Sequence, residues 1–315
     1  MAKIGSVIPT ADMTHDEWLK ERTKGIGGSD AGVILGLDKY RTPFELWLEK
    51  TGQVEPVQID NEAIYWGNEM EDVVAKEFEK RTGKKVRRCN FMFSHADYPY
   101  IRANVDRMVV GESAVLECKT ASAFLAKEWK EDEIPDTYLV QVQHYLGVTG
   151  KQKGYIAVLI GGNRFVWKEV ERDNELIKMI FDAQKHFWKY HVEQNIPPQL
   201  DGSSASEQFL KERFARAEED KQIILPSEYK ELLQQYEEIK ANEKLVITAK
   251  KEIENKIKAT LEDAETGIIG DYIVSWKNQS RTSVDSKALK EKFPDVYKEV
   301  QRTSSFRKFD VKEAN

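Results

Sequence analysis

The 315-residue sequence is poor in cysteine and has no long apolar run. Cys89 and Cys118 are its only cysteines, a number that fits a reducing compartment. Two cysteines also cannot ligate an iron–sulfur cluster or a closed zinc site of the cysteine type. No run of about 18 apolar residues occurs, and residues 1–25 lack the apolar core of a signal peptide. We therefore expect a cytoplasmic chain with no membrane-spanning helix and no membrane partner.

The chain also lacks a large excess of charge of either sign. It has 48 Lys and Arg against 54 Asp and Glu, a net charge of −6, which argues against a protein that coats nucleic acid. Phosphate contacts need only a local basic surface, and the segment KRTGKKVRR, Lys80 to Arg88, can form one. An ordinary solvated loop between a helix and a strand is the alternative for this segment.

Apolar periodicity and turn residues predict a mixed α/β or α+β domain over residues 1–200. Helical patterns come first, at residues 12–24, 29–37, 42–52 and 61–83. Strand patterns follow in KVRRCNFMFS, YIRANVDRMV and SAVLECKTA, with VGES as the turn that joins the last two. A helix in TYLVQVQHYLGVTG, two strands and a long helix complete the region. Helices before, between and after a block of strands are typical of this fold class.

The composition changes after residue 200. DGSSASE opens a predicted linker, 201–225, and a long amphipathic helix is predicted at 226–263. Apolar residues recur there every seven positions, at Leu225, Leu232, Ile239, Val246 and Ile253. Such a helix can pair with another helix. Glu243 and Lys250 interrupt its second apolar row, so the pattern does not by itself establish a long homodimeric zipper. Residues 264–315 combine strand-like and helical patterns, including SSFRKFDV as a final strand, and predict a small α/β extension.

Three acids and a lysine form the strongest candidate site. Asp106 lies on one predicted strand, and Glu117 and Lys119 lie on the next, where alternation points both to the same face. If these strands are antiparallel neighbours, Asp106 approaches Glu117, and Glu71 of the preceding long helix is the third acid. Converging carboxylates repel one another, and hard divalent cations such as Mg²⁺ or Mn²⁺ resolve that repulsion. A surface ion pair beside a turn-adjacent acid is the alternative.

Such a site is suited to phosphodiester hydrolysis, because metal ions lower the pKa of a bound water and neutralise the leaving oxygen. The Lys119 amine can orient or deprotonate the attacking water. Arg22 and Ser29, which flank the glycine-rich TKGIGG, form a second candidate site. A guanidinium, a hydroxyl and free backbone N–H groups bind anions such as phosphate. An ordinary glycine turn with a serine cap is the alternative for this second site.

The sequence resembles the YqaJ-like viral recombinase family, phage-type relatives of lambda exonuclease within the PD-(D/E)XK nuclease superfamily. Five segments carry the resemblance in the family's order: ERTKGIGGSDAGVILGL, WGNEMEDVVAKEFEKRTG, ANVDRMV, LECKTA and YLVQVQHYLGV. The likeness covers about residues 10 to 200. It implies a restriction-endonuclease-like core with a central mixed sheet flanked by helices. It also implies a 5′-to-3′ exodeoxyribonuclease that needs Mg²⁺ and leaves 3′ overhangs for recombination.

The resemblance assigns metal ligands residue by residue. Asp106 and Glu117 match the family's ligands, and the main-chain carbonyl of Cys118 completes the set. Glu71 matches a further acid that supports a second metal ion or its waters. The resemblance thus implies two Mg²⁺ ions, for which Mn²⁺ can substitute.

The same resemblance assigns the remaining site residues. Lys119 matches the residue that activates the water, and Gln143 matches one that helps to orient it. Arg22 and Ser29, seven residues apart as in the family, resemble its pocket for the 5′-phosphate of a DNA end.

The family also implies partners. Its members form rings threaded by DNA and work beside a single-strand annealing protein, so a homo-oligomer is expected, with a ring-like trimer as one form. Residues after about 205 have no counterpart in the short relatives. We expect the long helix and its terminal strands to dock the annealing protein, and packing on the nuclease domain or on itself is the alternative.

Two other functions fit the same residues. One is an endonuclease of the same superfamily, restriction-like or structure-specific, which would cut covalently closed circular DNA. The other is a DNA-end-binding scaffold with a decayed active site, against which the intact acids and lysine argue.

Overall fold

The computed structural model describes residues 4–54, 62–130, 133–302 and 305–312. The chain forms two compact units, an N-terminal unit, Met1–Arg213, and a C-terminal unit, Phe214–Asn315. None of the described helices is both long enough and apolar enough to cross a lipid bilayer.

The elements of the N-terminal unit are, in chain order, β1 (Ile4–Pro9), α1 (His15–Thr23), α2 (Gly28–Ile34), α3 (Pro43–Lys50), α4 (Glu62–Thr82), β2 (Val86–Arg88), β3 (Phe91–His95), β4 (Arg102–Asn104), β5 (Arg107–Val109), β6 (Ala114–Ala121), α5 (Asp136–Thr149), β7 (Lys153–Ile160), β8 (Arg164–Glu171), α6 (Asn174–His186) and α7 (Ser204–Arg213). A 3₁₀-helix, Ala123–Trp129, precedes α5, and a π-helix, Phe187–Val192, continues α6. The capping boxes of Thr14 and Thr42 explain where α1 and α3 begin.

A five-stranded mixed sheet, in the order β2-β5-β6-β7-β8, forms the centre of this unit. β6 and β7 are parallel, with α5 in the crossover between them, and the other neighbouring pairs are antiparallel. Side chains of α4, including Phe78, pack on one face with Leu116 and Tyr155. Side chains of α5 and α6 pack on the other face with Val115 and Ile156. A mixed sheet flanked by helices confirms the predicted fold class.

Two predicted strands are each divided between this sheet and a second, antiparallel sheet of order β1-β3-β4. KVRRCNFMFS contains β2 and β3, and YIRANVDRMV contains β4 and β5. Asp106, which the pattern predicts on a strand, lies instead in the bend between β4 and β5. The Cys89 N–H, in the break between β2 and β3, donates a 3.0 Å hydrogen bond to the Asp106 carbonyl, in the break between β4 and β5. The bend therefore places a carboxylate where the chain passes from one sheet to the other.

The segment predicted as a linker, 201–225, differs from that expectation. It begins with α7, in which Ala205 and Ser206 are buried. The Phe209 ring packs against Phe44 of α3, with ring centroids 5.4 Å apart. An apolar contact with a distant helix, which composition does not reveal, extends the N-terminal unit to Arg213.

The C-terminal unit contains α8 (Tyr229–Leu261), β9 (Thr266–Ile269), β10 (Tyr272–Ser275), α9 (Ser286–Lys292) and α10 (Pro294–Val300). The predicted long helix is confirmed, and it runs unbroken because neither proline nor glycine occurs within it. β9 and β10 form an antiparallel hairpin. Residues 305–311 of the predicted last strand form no strand, and Ser304 lies outside the described residues.

Candidate active site

Asp106, Glu117 and Lys119 lie together at the edge where β5 begins. β5 and β6 are antiparallel with Arg107 opposite Leu116, so the same register brings the preceding Asp106 beside Glu117. The Cys118 N–H donates a 2.8 Å hydrogen bond to Asp106 Oδ2. The Lys119 Nζ lies 2.7 Å from Glu117 Oε1. The structure therefore brings together the three side chains that the strand pattern pairs.

The Glu117 carboxylate is buried and only half satisfied. Its side chain is 3% exposed. Glu117 Oε1 pairs with the Lys119 ammonium and accepts a 2.6 Å hydrogen bond from Gln141 Nε2. Among the described residues, no donor reaches the buried Oε2. A buried carboxylate oxygen without a partner is costly, so Oε2 is a ligand position that the protein itself does not fill.

Charge in this cluster is unbalanced. Burial and the neighbouring Glu117 carboxylate raise the pKa of Asp106 well above its usual range, although Lys119 opposes this. Burial lowers the pKa of Lys119, but the charges of Glu117 and Asp106 outweigh it and raise that pKa. Lys119 is therefore an ammonium and a hydrogen-bond donor. Two carboxylates against one ammonium leave a buried site that favours an additional cation.

The oxygen atoms at this site fit a hard divalent cation. The N–H and C=O of one strand residue face the same side, so the Cys118 carbonyl faces the side on which Asp106 accepts its N–H. Asp106, Glu117 and this carbonyl together offer the oxygen ligands that Mg²⁺ and Mn²⁺ prefer. Within the described ranges, no three His, Cys, Asp or Glu side chains converge closely enough to hold a metal ion. The side chains would therefore supply part of the coordination sphere, and water or substrate the rest.

Glu71 lies at the margin of this cluster. The buried Arg107 guanidinium contacts both Glu71 and Asp72 of α4. The Arg88 Nη2 lies 3.4 Å from Glu71 Oε1. Glu71 is still close enough to contribute to the raised pKa of Asp106. Its carboxylate is thus engaged by two arginines instead of converging with the other acids.

Gln141, and not Gln143, reaches the carboxylates. Successive helical residues are about 100° apart, so residues two apart face nearly opposite directions. Gln143 Nε2 donates to the Glu171 carbonyl at 2.7 Å, and its Oε1 accepts from the Asp173 N–H at 3.0 Å. The structure therefore does not bring Gln143 to the carboxylates: Gln143 ties the turn between β8 and α6, and Gln141 contacts Glu117.

Arg22 and Ser29 also lie together, as their sequence pattern predicts. The Arg22 Nη2 donates to Ser29 Oγ at 3.0 Å. The guanidinium also lies over the Trp18 ring, 4.7 Å from its centroid. A fixed guanidinium beside a hydroxyl is a suitable anion contact.

Tyr145 connects this pair to the carboxylate cluster. Its hydroxyl accepts a 2.8 Å hydrogen bond from Gln141 Nε2. Its ring packs on Gly28, where an added Cβ would lie 2.4 Å from Tyr145 Cε1. Burial and the Glu117 charge raise the pKa of Tyr145 well above its usual range, and the Arg22 charge opposes them. One buried tyrosine thus lies between the two candidate sites, which the sequence does not predict.

Gly28 is required by this contact, and its substitution is a test of it. We expect Gly28→Ala to lower the free energy of unfolding by about 1–3 kcal/mol, because the methyl group overlaps the Tyr145 ring. Gly27→Ala is the matched control, since its nearest contact would be an ordinary 3.7 Å to Asp30 Oδ2. Urea unfolding of both variants measures the difference, and equal losses would contradict this packing.

A buried ion pair supports the glycine-rich loop, and the sequence does not predict it. The Lys50 Nζ lies 2.9 Å from Asp30 Oδ2, with both side chains fully buried. Asp30 also accepts from the Gly27 N–H at 3.0 Å, and Lys50 donates to the Arg22 carbonyl at 3.1 Å. Burial raises the pKa of Asp30, but the charges of Lys50 and Arg41 outweigh it and lower that pKa. The pair therefore fixes the backbone between Arg22 and Ser29.

Comparison with known proteins identifies the family. The model of the YqaJ-like viral recombinase domain matches residues 17–152, a range that contains every candidate site residue. The chain is 54% identical over 307 residues to the uncharacterized protein YqaJ of Bacillus subtilis (strain 168), covering 97% of this chain and 96% of that protein.

Solved structures give weaker similarities. An alkaline exonuclease from Laribacter hongkongensis is 18% identical, with 64% of this chain and 98% of that chain covered and a TM-score of 0.48. A phage related exonuclease from Haemophilus somnus 129PT is 15% identical, with 54% and 96% covered and a TM-score of 0.43. The family rests on the domain match and on the near full-length relative: the chain belongs to the YqaJ-like viral recombinase family.

Proposed function

We propose that the protein is a divalent-cation-dependent nuclease that acts in the cytoplasm. It digests double-stranded DNA from 5′ ends and leaves 3′ overhangs for recombination by single-strand annealing. One observation carries this proposal: Asp106, Glu117 and Lys119 converge at a buried strand edge, where Glu117 Oε2 meets no donor from the described residues. Membership of a viral recombinase family supports it, because annealing needs exposed single strands.

We propose Mg²⁺ as the cation, with Mn²⁺ able to substitute, held by Asp106, Glu117 and the Cys118 carbonyl. When bound, the cation supplies Lewis acidity, lowers the pKa of water and neutralises charge on the leaving oxygen. A second ion, which the family resemblance implies, would require Glu71 to exchange its contacts with Arg107 and Arg88 for that ion.

The protein's own groups have separate roles in this proposal. Lys119 donates hydrogen bonds that orient the attacking water and the scissile phosphate, because its raised pKa keeps it protonated. Its ammonium is held in place by Glu117 and lies 5.3 Å from the Tyr138 ring centroid. Gln141 fixes the rotamer of Glu117 through the hydrogen bond to Oε1.

The terminal 5′-phosphate is assigned to Arg22 and Ser29. The guanidinium can donate charge-assisted hydrogen bonds, and the hydroxyl completes the contact. Because Tyr145 contacts Gly28 on one side and Gln141 on the other, a phosphate at Arg22 would be anchored next to the hydrolytic centre. This adjacency favours action at ends over action within a duplex.

Arg22→Ala is expected to remove the preference for phosphorylated ends. A charge-assisted hydrogen bond contributes about 1.5–3 kcal/mol, so kcat/KM on 5′-phosphorylated duplex should fall about 10- to 100-fold. The rate on 5′-hydroxyl duplex should change little. Lys24→Ala is the matched control, because Lys24 is an exposed cation two residues away that pairs with Glu21. An unchanged ratio of the two rates in Arg22→Ala would contradict the assignment.

Substitutions of the two glutamines of α5 are expected to have different effects on kcat and on stability. Gln141→Leu should lower kcat about 10- to 100-fold, because Glu117 loses the donor that orients it. Gln143→Leu should leave kcat unchanged and lower stability by about 1–3 kcal/mol, because the Glu171 carbonyl and the Asp173 N–H lose their partner. Single-turnover digestion and thermal unfolding of both variants separate these effects. Equal effects on kcat would contradict the distinct positions of the two side chains.

We further propose that the protein works as a homo-oligomer, with a ring-like trimer of its nuclease units as one form, beside a single-strand annealing protein. The β9–β10 hairpin offers apolar side chains for such a partner. Four of them are at least 70% exposed: Ile268, Ile269, Tyr272 and Ile273.

Digestion of linear and covalently closed circular duplex tests the proposed activity. In Mg²⁺ we expect the linear substrate to be degraded and the circle to remain intact, and chelation with EDTA should stop digestion. Cutting of the circle would identify an endonuclease instead. Binding of ends without any digestion would identify a scaffold.

A further inference from the structure

Helix α8 presents an apolar surface that the described residues of its own unit leave largely exposed, with the Phe309 ring packed on Tyr236 at a centroid distance of 5.8 Å. Its 33 residues include none that is buried, and at about 1.5 Å per residue it is about 50 Å long. Seven apolar side chains at heptad positions are 38–67% exposed: Tyr229, Leu232, Tyr236, Ile239, Val246, Ile253 and Ile257. Most helical stability comes from covering such a face. An exposed apolar stripe of this length therefore indicates an interaction surface.

The charges along α8 decide which orientation a second copy could adopt. Glu243 and Lys250 occupy the second apolar row, seven residues apart, on either side of Val246. A parallel copy would place Glu243 opposite Glu243 and Lys250 opposite Lys250. In an antiparallel copy centred near Val246, Glu243 of one helix lies within a turn of Lys250 of the other. Only the antiparallel arrangement pairs opposite charges within the seam.

The charges that flank the seam also have opposite signs on the two sides of Val246. Lys240 and Glu254 occupy equivalent heptad positions beside the seam, again on either side of Val246. Two antiparallel helices bring such equivalent positions together, so Lys240 of one copy would face Glu254 of the other. Within one helix both residues make exposed pairs. Lys240 lies 3.3 Å from Glu237, and Glu254 lies 3.8 Å from Lys250 and 3.9 Å from Lys258. Pairs of this kind are weak and readily exchanged.

We propose that α8 binds α8 of a second copy of this chain as an antiparallel pair centred near Val246. The contact is self-complementary, as a two-fold interface requires. Apolar side chains from both halves of the helix meet in it, because Tyr236 and Ile257, like Ile239 and Ile253, are placed almost symmetrically about the centre. The pairing links the N-terminal units of two copies, and it does not depend on the proposed nuclease activity.

Charge reversal in the full-length protein tests the pairing and its direction. Glu243→Lys and Lys250→Glu should each weaken association at least tenfold, so that the protein concentration at which the mass measured by light scattering is half-way between its two limits rises at least tenfold. The double variant Glu243→Lys/Lys250→Glu should restore the mass of the wild type. A parallel pair would respond alike to the single and double variants. A mass that neither single variant changes would overturn the proposal.

Cysteine cross-linking gives an independent reading of the direction. An antiparallel pair should form an interchain disulfide with Val246→Cys, at the centre, and none with Leu232→Cys, near one end. The wild type, with Cys89 and Cys118 only, is the background control. Cross-linking by both variants would show a parallel pair, and cross-linking by neither would show that this face binds something other than a second copy.

Discussion

Asp106→Asn is expected to abolish nuclease activity and, at neutral pH, to make the protein more stable. The loss of activity should be at least about 10³-fold, because the variant removes a charged ligand of the proposed cation. The amide oxygen can still accept the 2.8 Å hydrogen bond from the Cys118 N–H. The strand edge therefore keeps its geometry while the charge is lost.

The gain in stability follows from the sign of the pKa shift. Folding raises the pKa of Asp106 above its unfolded value of about 3.9. Above that value the unfolded state carries the charge more readily than the folded state, so the charge destabilises the fold at neutral pH. Asparagine removes this cost, as is usual where a site is arranged for function and not for stability.

Single-turnover digestion and urea unfolding at pH 7, without added cation, measure the two effects. Asp97→Asn is the matched control, because Asp97 is an exposed acid of the same unit, and it should change neither quantity. A variant that loses activity only because it is less stable would indicate a structural role for Asp106. Retained activity would exclude Asp106 from the catalytic centre.

Asp30→Asn is expected to have the largest effect on stability. It leaves the fully buried Lys50 ammonium with Glu49, at 3.4 Å, as its one charged partner among the described residues. Breaking one side of a buried ion pair costs about 3–5 kcal/mol, and we expect the lower end because Glu49 remains. Asparagine can still accept from the Gly27 N–H, so the loss isolates the charge. The double variant Asp30→Asn/Lys50→Met should recover most of the stability.

The pH dependence gives a second test of this ion pair. The pKa of Asp30 is lowered by Lys50 and Arg41 against the opposing effect of burial. Its stabilising contribution is therefore complete above the unfolded pKa of about 3.9 and declines as the pH falls through the folded value. The difference in unfolding free energy between wild type and Asp30→Asn should be constant from about pH 7 to 5 and narrow below about pH 4. A difference that is constant throughout would contradict an ionised Asp30.

Local patterns predicted much of the fold and the centre of the site. The helical patterns at residues 12–24 and 42–52 form α1 and α3, and the uninterrupted pattern after residue 226 forms one helix. The spacing of Asp106, Glu117 and Lys119 was sufficient because a hairpin brings neighbouring strands together at a fixed register. These features depend on residues that are close in sequence.

Features that distant parts of the chain decide could not be predicted from local patterns. Gln141 and Gln143 have the same chemistry, and only the packing of α5 on the sheet shows which one meets Glu117. The signal that could have separated them is Tyr145, one turn after Gln141 and therefore on the same helix face. The Asp30–Lys50 pair joins two helices, and no local pattern marks a lysine that will be buried.

Digestion of a linear duplex labelled at either its 5′ or its 3′ end tests the central claim most directly. We predict that the wild-type protein in Mg²⁺ releases the 5′ label first and leaves the 3′-labelled strand largely intact, and that Asp106→Asn releases neither label. Release that persists in EDTA, release of the 3′ label first, or unchanged digestion by Asp106→Asn would contradict a cation-dependent 5′-end nuclease at Asp106 and Glu117.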